Sequence, residues 1–70
     1  EEAVKWYEKS ANQGYAEAQY NLGTMYQNAI GVEQDFKKAI KYYKQAAAQG
    51  HIEAKENLEA ICEENPELCK

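Results

Sequence analysis

The side chains most capable of chemistry in this 70-residue chain are its two cysteines, its single histidine and its single serine. Cys62 and Cys69 enclose Asn65-Pro66, and because the residue before a proline avoids the α region, this pair is expected to end a helix and turn the chain back. A Cys62–Cys69 disulfide would then hold the tail against the last helix. Two free thiols are the alternative, and an exposed-thiol redox sensor is a weaker third hypothesis. A redox-catalytic pair is not expected, since the spacing is not Cys-x-x-Cys.

The remaining reactive side chains do not form a recognisable catalytic or metal-binding set. His51 is far in sequence from Cys69, so a zinc site lacks ligands. Ser10 has no histidine near it in sequence, and the chain contains no glycine-rich phosphate loop or cluster of metal ligands. The sequence therefore predicts that the protein is not an enzyme and has no cofactor, no metal and no small-molecule substrate.

A repeat of 36 residues organises the chain. Ten of the twenty-four residues between positions 3 and 26 are identical to the residue 36 positions later. Asn21 and Leu22, for example, return as Asn57 and Leu58. Chance does not produce this agreement in so short a chain, and repetition at such a period is typical of solenoids.

Within each repeat the apolar residues follow helical spacing. Phe36, Ile40 and Tyr43 recur at intervals of three and four, as one face of a helix requires. Gly14 and Gly50 follow such stripes, where a left-handed C-cap is expected, and an acidic residue precedes Phe36 as an N-cap. The predicted helices cover residues 2–13, 16–28, 35–49 and 52–64.

Many positions also agree with one family pattern at fixed offsets. Ala18, Leu22, Gly23 and Tyr26 match Ala-x-x-x-Leu-Gly-x-x-Tyr. The loop and the next helix match at Gly31, Val32, Asp35, Phe36, Ala39, Ile40, Tyr42, Tyr43, Ala46, Ala47 and Gly50. On these residues the chain resembles the Sel-one-like repeat family, a relative of the tetratricopeptide repeat. The resemblance implies an all-α fold, a right-handed α/α solenoid of about four helices in antiparallel pairs.

One position departs from the family pattern, because Ala29 stands where a loop glycine is usual. We expect Asn28 to take the left-handed conformation instead, since asparagine tolerates it. Gly23 costs helix stability relative to alanine, which indicates close approach of a neighbouring helix at that position.

The resemblance also divides residues 1–70, a single module, into parts of repeats. Residues 2–13 are expected to be the second helix of a preceding repeat, 16–49 one complete repeat, 52–64 a C-terminal solvating helix and 65–70 a tail. Polar replacement of the outer face is how solenoids end, and here Tyr20, Gly23 and Tyr26 become Glu56, Glu59 and Cys62. The first helix shows no such treatment, so further repeats are expected before Glu1.

Function follows from the same resemblance, which implies that a partner protein or peptide binds the concave surface. The implied contact residues are Glu17, Tyr20, Asn21, Thr24, Gln27, Asn28, Glu53 and Asn57, with Glu56 and Ala60 beside them. Asn21 and Asn57 would hold a peptide; alternatively, each bonds between neighbouring repeats. Because Lys55 is the one basic residue nearby, an extended peptide or a basic surface fits better than a carboxylate-terminated ligand. The second hypothesis is an architectural cap, with binding carried by upstream repeats.

Charge and hydropathy exclude other partners. The net charge of −4 disfavours nucleic acid, whose phosphates require a cationic surface. No apolar run approaches the roughly 20 residues that span a bilayer, so membrane insertion is not expected. If the disulfide forms, an oxidising compartment follows, and the family resemblance favours a bacterial periplasmic or secreted protein. If it does not form, the protein is expected in the cytoplasm.

Overall fold

Four helices account for most of the chain in a computed structural model, which describes residues 2–69 and the side chains of residues 4–69. No strand occurs within that range, so the all-α prediction is confirmed. The predicted bounds agree with the observed ones to within a residue. The helices are α1 (Glu2–Asn12), α2 (Ala16–Asn28), α3 (Phe36–Ala48) and α4 (Ile52–Glu64), and a short 3-10 helix covers Pro66–Cys69.

Each helix packs against the next one along the chain, and α2 also touches α4. The core is a continuous row of apolar side chains between these layers, with Leu22, Tyr43 and Ile61 as its largest fully buried members. Small residues lie beside them, and Ala39, Ala46 and Ala54 are completely inaccessible to solvent. Alternating large and small side chains let the helices interdigitate at the density of a protein interior.

A close helix contact occurs at Gly23, in the middle of α2. A Cβ atom at this position would lie 2.5 Å from Cε1 of Tyr43 on α3 and 2.6 Å from Cδ1. Only a glycine therefore lets the buried tyrosine ring lie against the α2 backbone. The close approach expected from the sequence is confirmed, and Tyr43 is the residue that requires it.

The residues at the helix ends explain how the chain turns from one helix to the next. Asp35 caps α3, since its Oδ1 accepts a hydrogen bond from the Lys38 amide at 3.1 Å. Gly14 and Gly50 have positive φ angles of 94° and 90°, as a left-handed helix end requires. The sequence did not indicate that His51 caps α4, where its Nδ1 accepts from the Ala54 amide at 3.1 Å.

The end of α2 differs from the expectation. Ala29, not Asn28, takes the left-handed conformation, with φ 57° and ψ 43°, and its amide donates to the Met25 carbonyl. Asn28 stays in the last turn of the helix. The prediction that Asn28 would supply the left-handed residue was wrong, because the helix continues through Asn28 and the left-handed turn at Ala29 brings the Ile30 amide to the Met25 carbonyl at 2.9 Å.

The tail after α4 is fixed by a disulfide. Cys62 and Cys69 are bonded, with their Cα atoms 5.7 Å apart. Between them α4 ends at Asn65, and Pro66 starts the 3-10 helix. Leu68 packs against the core cluster, so the tail covers part of α3 and α4.

Candidate functional site

The residues expected to contact a partner fall into three groups in the structure. Glu17, Asn28 and Glu53 are exposed, as are Glu56 and Ala60. Asn21 and Thr24 are half-buried, and the Thr24 hydroxyl donates to the Asn21 carbonyl at 2.7 Å within α2. The three others, Tyr20, Gln27 and Asn57, make contacts between helices.

A hydrogen-bond network joins those three residues around Tyr43. The Tyr43 hydroxyl donates to Oε1 of Gln27 at 2.7 Å. Nδ2 of Asn57 lies 3.4 Å from the Tyr43 hydroxyl and 3.5 Å from that of Tyr20. The alternative role for this asparagine, a bond between neighbouring repeats, is therefore what the structure has at position 57.

Aromatic contacts strengthen the same seam between α2, α3 and α4. The Tyr20 ring stacks on His51 with centroids 4.7 Å apart and lies 5.9 Å from the Tyr43 ring. His51 Nε2 lies 3.5 Å from Oε1 of Glu17, whose side chain is 78% exposed. An ion pair this exposed contributes little to stability, so stacking is the main contact of the imidazole with α2.

Burial also changes the acidity of three tyrosines. Burial, with a smaller opposing effect of the Asn57 hydrogen bond, raises the pKa of Tyr43. Burial and then the hydrogen bond to Glu8 raise the pKa of Tyr26, whose hydroxyl lies 3.1 Å from Oε2 of that carboxylate. Burial and the same carboxylate raise the pKa of Tyr42. All three are therefore neutral at physiological pH, and the hydroxyls of Tyr26 and Tyr43 donate hydrogen bonds between helices.

An open groove lies between α1 and α2, at the end of the molecule opposite α4 and the tail. Its volume is about 380 Å³. Its walls are formed by Trp6, Tyr7, Ser10, Tyr15, Glu17, Ala18 and Asn21. We call these seven residues the end groove. Trp6 is 63% exposed and Tyr15 is 60% exposed, an unusual amount of solvent-facing aromatic surface in one place.

The end groove joins two of the predicted contact residues, Glu17 and Asn21, with aromatic residues that the sequence reasoning had not placed at a site. The 36-residue repeat indicated only that Tyr7 and Asn21 are the equivalents of Tyr43 and Asn57. Whether each copy is covered depends on the helix that lies against it, which the sequence did not indicate.

A second cavity, of about 450 Å³, lies between α3 and the tail. Lys37, Lys41 and Lys44 surround it, and Ile40 and Leu68 form its apolar part. This concentration of lysines on α3 contrasts with the net negative charge of the chain. None of the predicted contact residues lies there.

Neither a metal site nor a membrane span emerges from the described part of the chain. No group of three or more potential metal ligands comes together among residues 2–69. None of their helices has the length and apolar character that crossing a bilayer requires.

The repeated sequence of this chain matches the model of a known repeat family. The Sel1 repeat matches residues 1–15 and again 16–51, which is more than half of the chain. This chain belongs to the Sel1 repeat family. Sel1 repeats are helical repeats of the tetratricopeptide type and generally mediate interactions between proteins. A search of curated proteins finds no match to this Sel1 repeat chain.

Proposed function

We propose that this Sel1 repeat chain is a non-catalytic interaction module that binds a partner protein or peptide on the surface formed by α2 and α4. The observation that carries the proposal is the alignment of these two helices. Oε1 of Glu17 lies 3.5 Å from Nε2 of His51, the residue before α4, and the Tyr20 hydroxyl lies 3.5 Å from Nδ2 of Asn57, nearly two turns further along. The exposed residues of the two helices thereby form one continuous surface.

The proposed contact surface comprises the eight residues Glu17, Tyr20, Asn21, Thr24, Gln27, Asn28, Glu53 and Asn57. Glu17, Asn28 and Glu53 are its accessible members, so we propose that they make the first contacts. Tyr20, Gln27 and Asn57 already bond to other helices, and a partner would meet only their outer edges. Asn21 is the asparagine that offers its amide to a partner.

The charge of this surface selects the partner's chemistry. Glu17, Glu53 and Glu56 are exposed on the two helices, and Lys55 is the only basic residue of either. A cationic segment or a basic protein surface is therefore favoured over an acidic peptide, a free carboxylate or nucleic acid. We include no small-molecule substrate, cofactor or membrane insertion in the proposal.

A display library of random peptides, selected against the whole chain, tests this proposal. We expect enriched peptides with net positive charge, whose binding weakens about tenfold or more in Glu17→Lys or Glu53→Lys, because reversing a charge at an interface opposes a like charge. Glu33→Lys is the matched control, since Glu33 is also an exposed glutamate and lies in the loop before α3. Failure to enrich any peptide, or equal loss in all three variants, would contradict the proposal.

A second candidate function is an architectural cap of a longer array, and the tail favours it. The disulfide holds Leu68 over α3 and α4, and Glu56 and Glu59 make the outer part of α4 polar. A cap predicts that a longer native array binds the selected partner while residues 1–70 alone do not. Equal affinity of the two would favour the interaction module.

The disulfide also supports a proposal about location. Disulfides persist in oxidising compartments, so we propose that the protein works in a bacterial periplasm or is secreted. Counting thiols in protein isolated from its natural compartment tests this. Two free thiols there would indicate a cytoplasmic protein and would remove this argument.

A further inference from the structure

Half of the basic residues of this acidic chain lie on one helix. The 13 residues of α3 include Lys37, Lys38, Lys41 and Lys44 and no aspartate or glutamate. The whole chain has eight basic residues and a net charge of −4. Because charges are screened over roughly 8 Å at physiological ionic strength, a ligand close to α3 meets the charge of this helix first. The helix therefore presents a cationic face on an acidic protein.

The lysines of α3 are not neutralised by carboxylates of the molecule. All four are exposed, and among the side chains of residues 4–69 no carboxylate forms an ion pair with any of them. Lys38 and Lys41 rest on tyrosine rings, with Nζ 5.1 Å and 5.7 Å from the ring centroids. Within the same range, Lys37 and Lys44 have neither kind of contact, so their charges face solvent alone.

The positions of these lysines do not help α3 to form. Lys37 and Lys38 lie in its first turn, where the helix dipole disfavours positive charge. Lys37 and Lys41 are four residues apart, and like charges at this spacing repel each other on a helix surface. The lysines therefore cost helix stability in the free protein, and an anionic ligand on this face would remove that cost.

A groove beside α3 gives the cationic face a defined place for a ligand. Its volume is about 450 Å³, within the roughly 300–1,000 Å³ that is typical of ligand pockets. Ile40 is 5% exposed and Leu68 packs against the core cluster, so the groove combines an apolar floor with cationic walls. We call its lining the lysine groove, which consists of Lys37, Ile40, Lys41, Lys44, Gln45 and Leu68.

The disulfide holds the wall of the lysine groove that faces α3. Leu68 precedes Cys69, whose bond to Cys62 ties the tail to α4. The 3-10 helix of the tail contacts both α3 and α4, and the Leu68 amide donates to the Asn65 carbonyl at 3.0 Å. The groove is thus formed before a ligand arrives, which lowers the cost of ordering on binding.

We propose that the lysine groove binds a short acidic segment of another protein, in which carboxylates flank a leucine-sized apolar residue. The carboxylates pair with Lys37 and Lys44, and the apolar residue lies against Ile40 and Leu68. The two lysines are separated by a rise of roughly 10 Å along the helix, which about four residues of extended chain span. This goes beyond the partner proposed for α2 and α4, because the surface is different and its ligand has the opposite charge.

A membrane surface and a nucleic acid suit this face less well. Surface helices enter bilayers through exposed apolar side chains. The large exposed apolar residues of the described chain, Trp6, Tyr15, Ile30 and Ile52, all lie outside α3 and the tail. A long polyanion would extend past α3 onto the acidic remainder of the chain, which repels phosphates. A short acidic peptide avoids both difficulties.

Fluorescence anisotropy tests the proposal with a labelled peptide, Glu-Asp-Glu-Leu-Asp-Glu, titrated with the whole chain. We expect saturable binding that is micromolar or weaker, because an extended peptide must order on binding, and that weakens as salt screens the charges. Lys37→Glu and Lys44→Glu should each weaken it about tenfold or more. Lys5→Glu is the matched control, since Lys5 is also exposed, lies on α1 and gives the same change in net charge.

A second peptide, with serine in place of the leucine, tests the apolar floor of the lysine groove. Leu68→Ala should weaken binding of the leucine peptide about fivefold and leave binding of the serine peptide unchanged, because only the first peptide loses an apolar contact. Circular dichroism should show the same helix content in every variant. Equal losses for the two peptides would rule out the apolar contact that the proposal requires.

Three results would overturn the proposal: no saturable binding, equal loss in Lys5→Glu and Lys44→Glu, or no effect of salt. Binding to phosphatidylserine vesicles in place of the peptide would assign the face to a membrane and overturn it too. So would reversible dimers that dissociate in Lys44→Glu, because these would assign the groove to the acidic surface of a second copy. Glu53→Lys should not weaken binding of the acidic peptide, so failure here leaves the proposed surface of α2 and α4 untouched.

Discussion

The two grooves of this molecule are built from nearly the same residue types but have different environments. The groove of α3 and α4 holds α2, while the end groove, one repeat earlier, lies open. Tyr43 and Asn57 have hydrogen bonds in the first, and their equivalents Tyr7 and Asn21 line the cavity of the second. Residue type alone therefore does not decide whether a position in a repeat is buried or exposed. The presence of a neighbouring helix decides it.

The largest effect is expected from filling the close contact that the occupied groove depends on. Gly23→Ala should lower the free energy of unfolding by about 3 kcal/mol, because the new methyl group overlaps a fully buried ring that Gln27 and Asn57 hold in place. Urea unfolding measures the change. The comparison variant is Glu59→Gly at the equivalent, exposed position of α4, which should cost only about 1 kcal/mol. Similar losses at both positions would show that the contact is not tight.

The second largest effect on stability is expected from removing the disulfide that holds the tail against α4. Replacing both cysteines, Cys62→Ala with Cys69→Ala, should lower stability by roughly 2–3 kcal/mol, the value expected from closing so short a loop. For a domain of this size that corresponds to a loss of about 10–20 °C in melting temperature. Calorimetry in the presence and absence of a reductant provides the measurement. An unchanged melting temperature on reduction would mean that the tail contributes little to α4.

The pair of equivalent asparagines tests the comparison most directly. Asn57→Ala should cost about 1 kcal/mol, since it removes an amide that lies between two tyrosine hydroxyls. Asn21→Ala should leave stability within about 0.5 kcal/mol, as expected of a position without such a network. Chemical denaturation of both variants side by side gives the difference. Equal destabilisation would contradict the distinction between a filled and an open groove.

The smallest effect is a gain in stability at the end of α2. Ala29→Gly should raise the free energy of unfolding by about 0.5–1 kcal/mol, because glycine adopts the left-handed conformation without the penalty that a Cβ imposes. Gly50→Ala, at a left-handed position with open space around it, should show the reverse. A melting temperature lowered by Ala29→Gly would argue against the conformation described for this turn.

The fold could be predicted from the sequence because the 36-residue repeat contains the same helix pattern twice. The spacing of Phe36, Ile40 and Tyr43, the cap at Asp35 and the glycines at helix ends are local features, so their structural consequences can be predicted locally. The close approach at Gly23 was also predictable, since a glycine within a helix costs stability that a close contact with a neighbouring helix can offset.

What the sequence did not provide are contacts that depend on the relative placement of helices. The end of α2 depends on the path of the loop, which is why Ala29 and not Asn28 became left-handed. The difference between Asn21 and Asn57 arises only when one is covered by α2 and the other is not. Trp6 and Tyr15 were not recognised as part of a site, because exposure is a property of the assembled layers and not of the residue.

The buried side chain of Gln19 has a mechanical consequence. Its Nε2 donates to the carbonyl of Ala11 at the end of α1, and its Oε1 accepts from Nε2 of Gln49 just after α3. One amide on α2 is thus bonded to the ends of both neighbouring helices. A solenoid flexes at the interfaces between its helices, and the Gln19 side chain couples the α1–α2 interface to the α2–α3 interface. Separating α1 from α2 would strain the hydrogen bond between Gln19 and Gln49, so the two interfaces are expected to deform together.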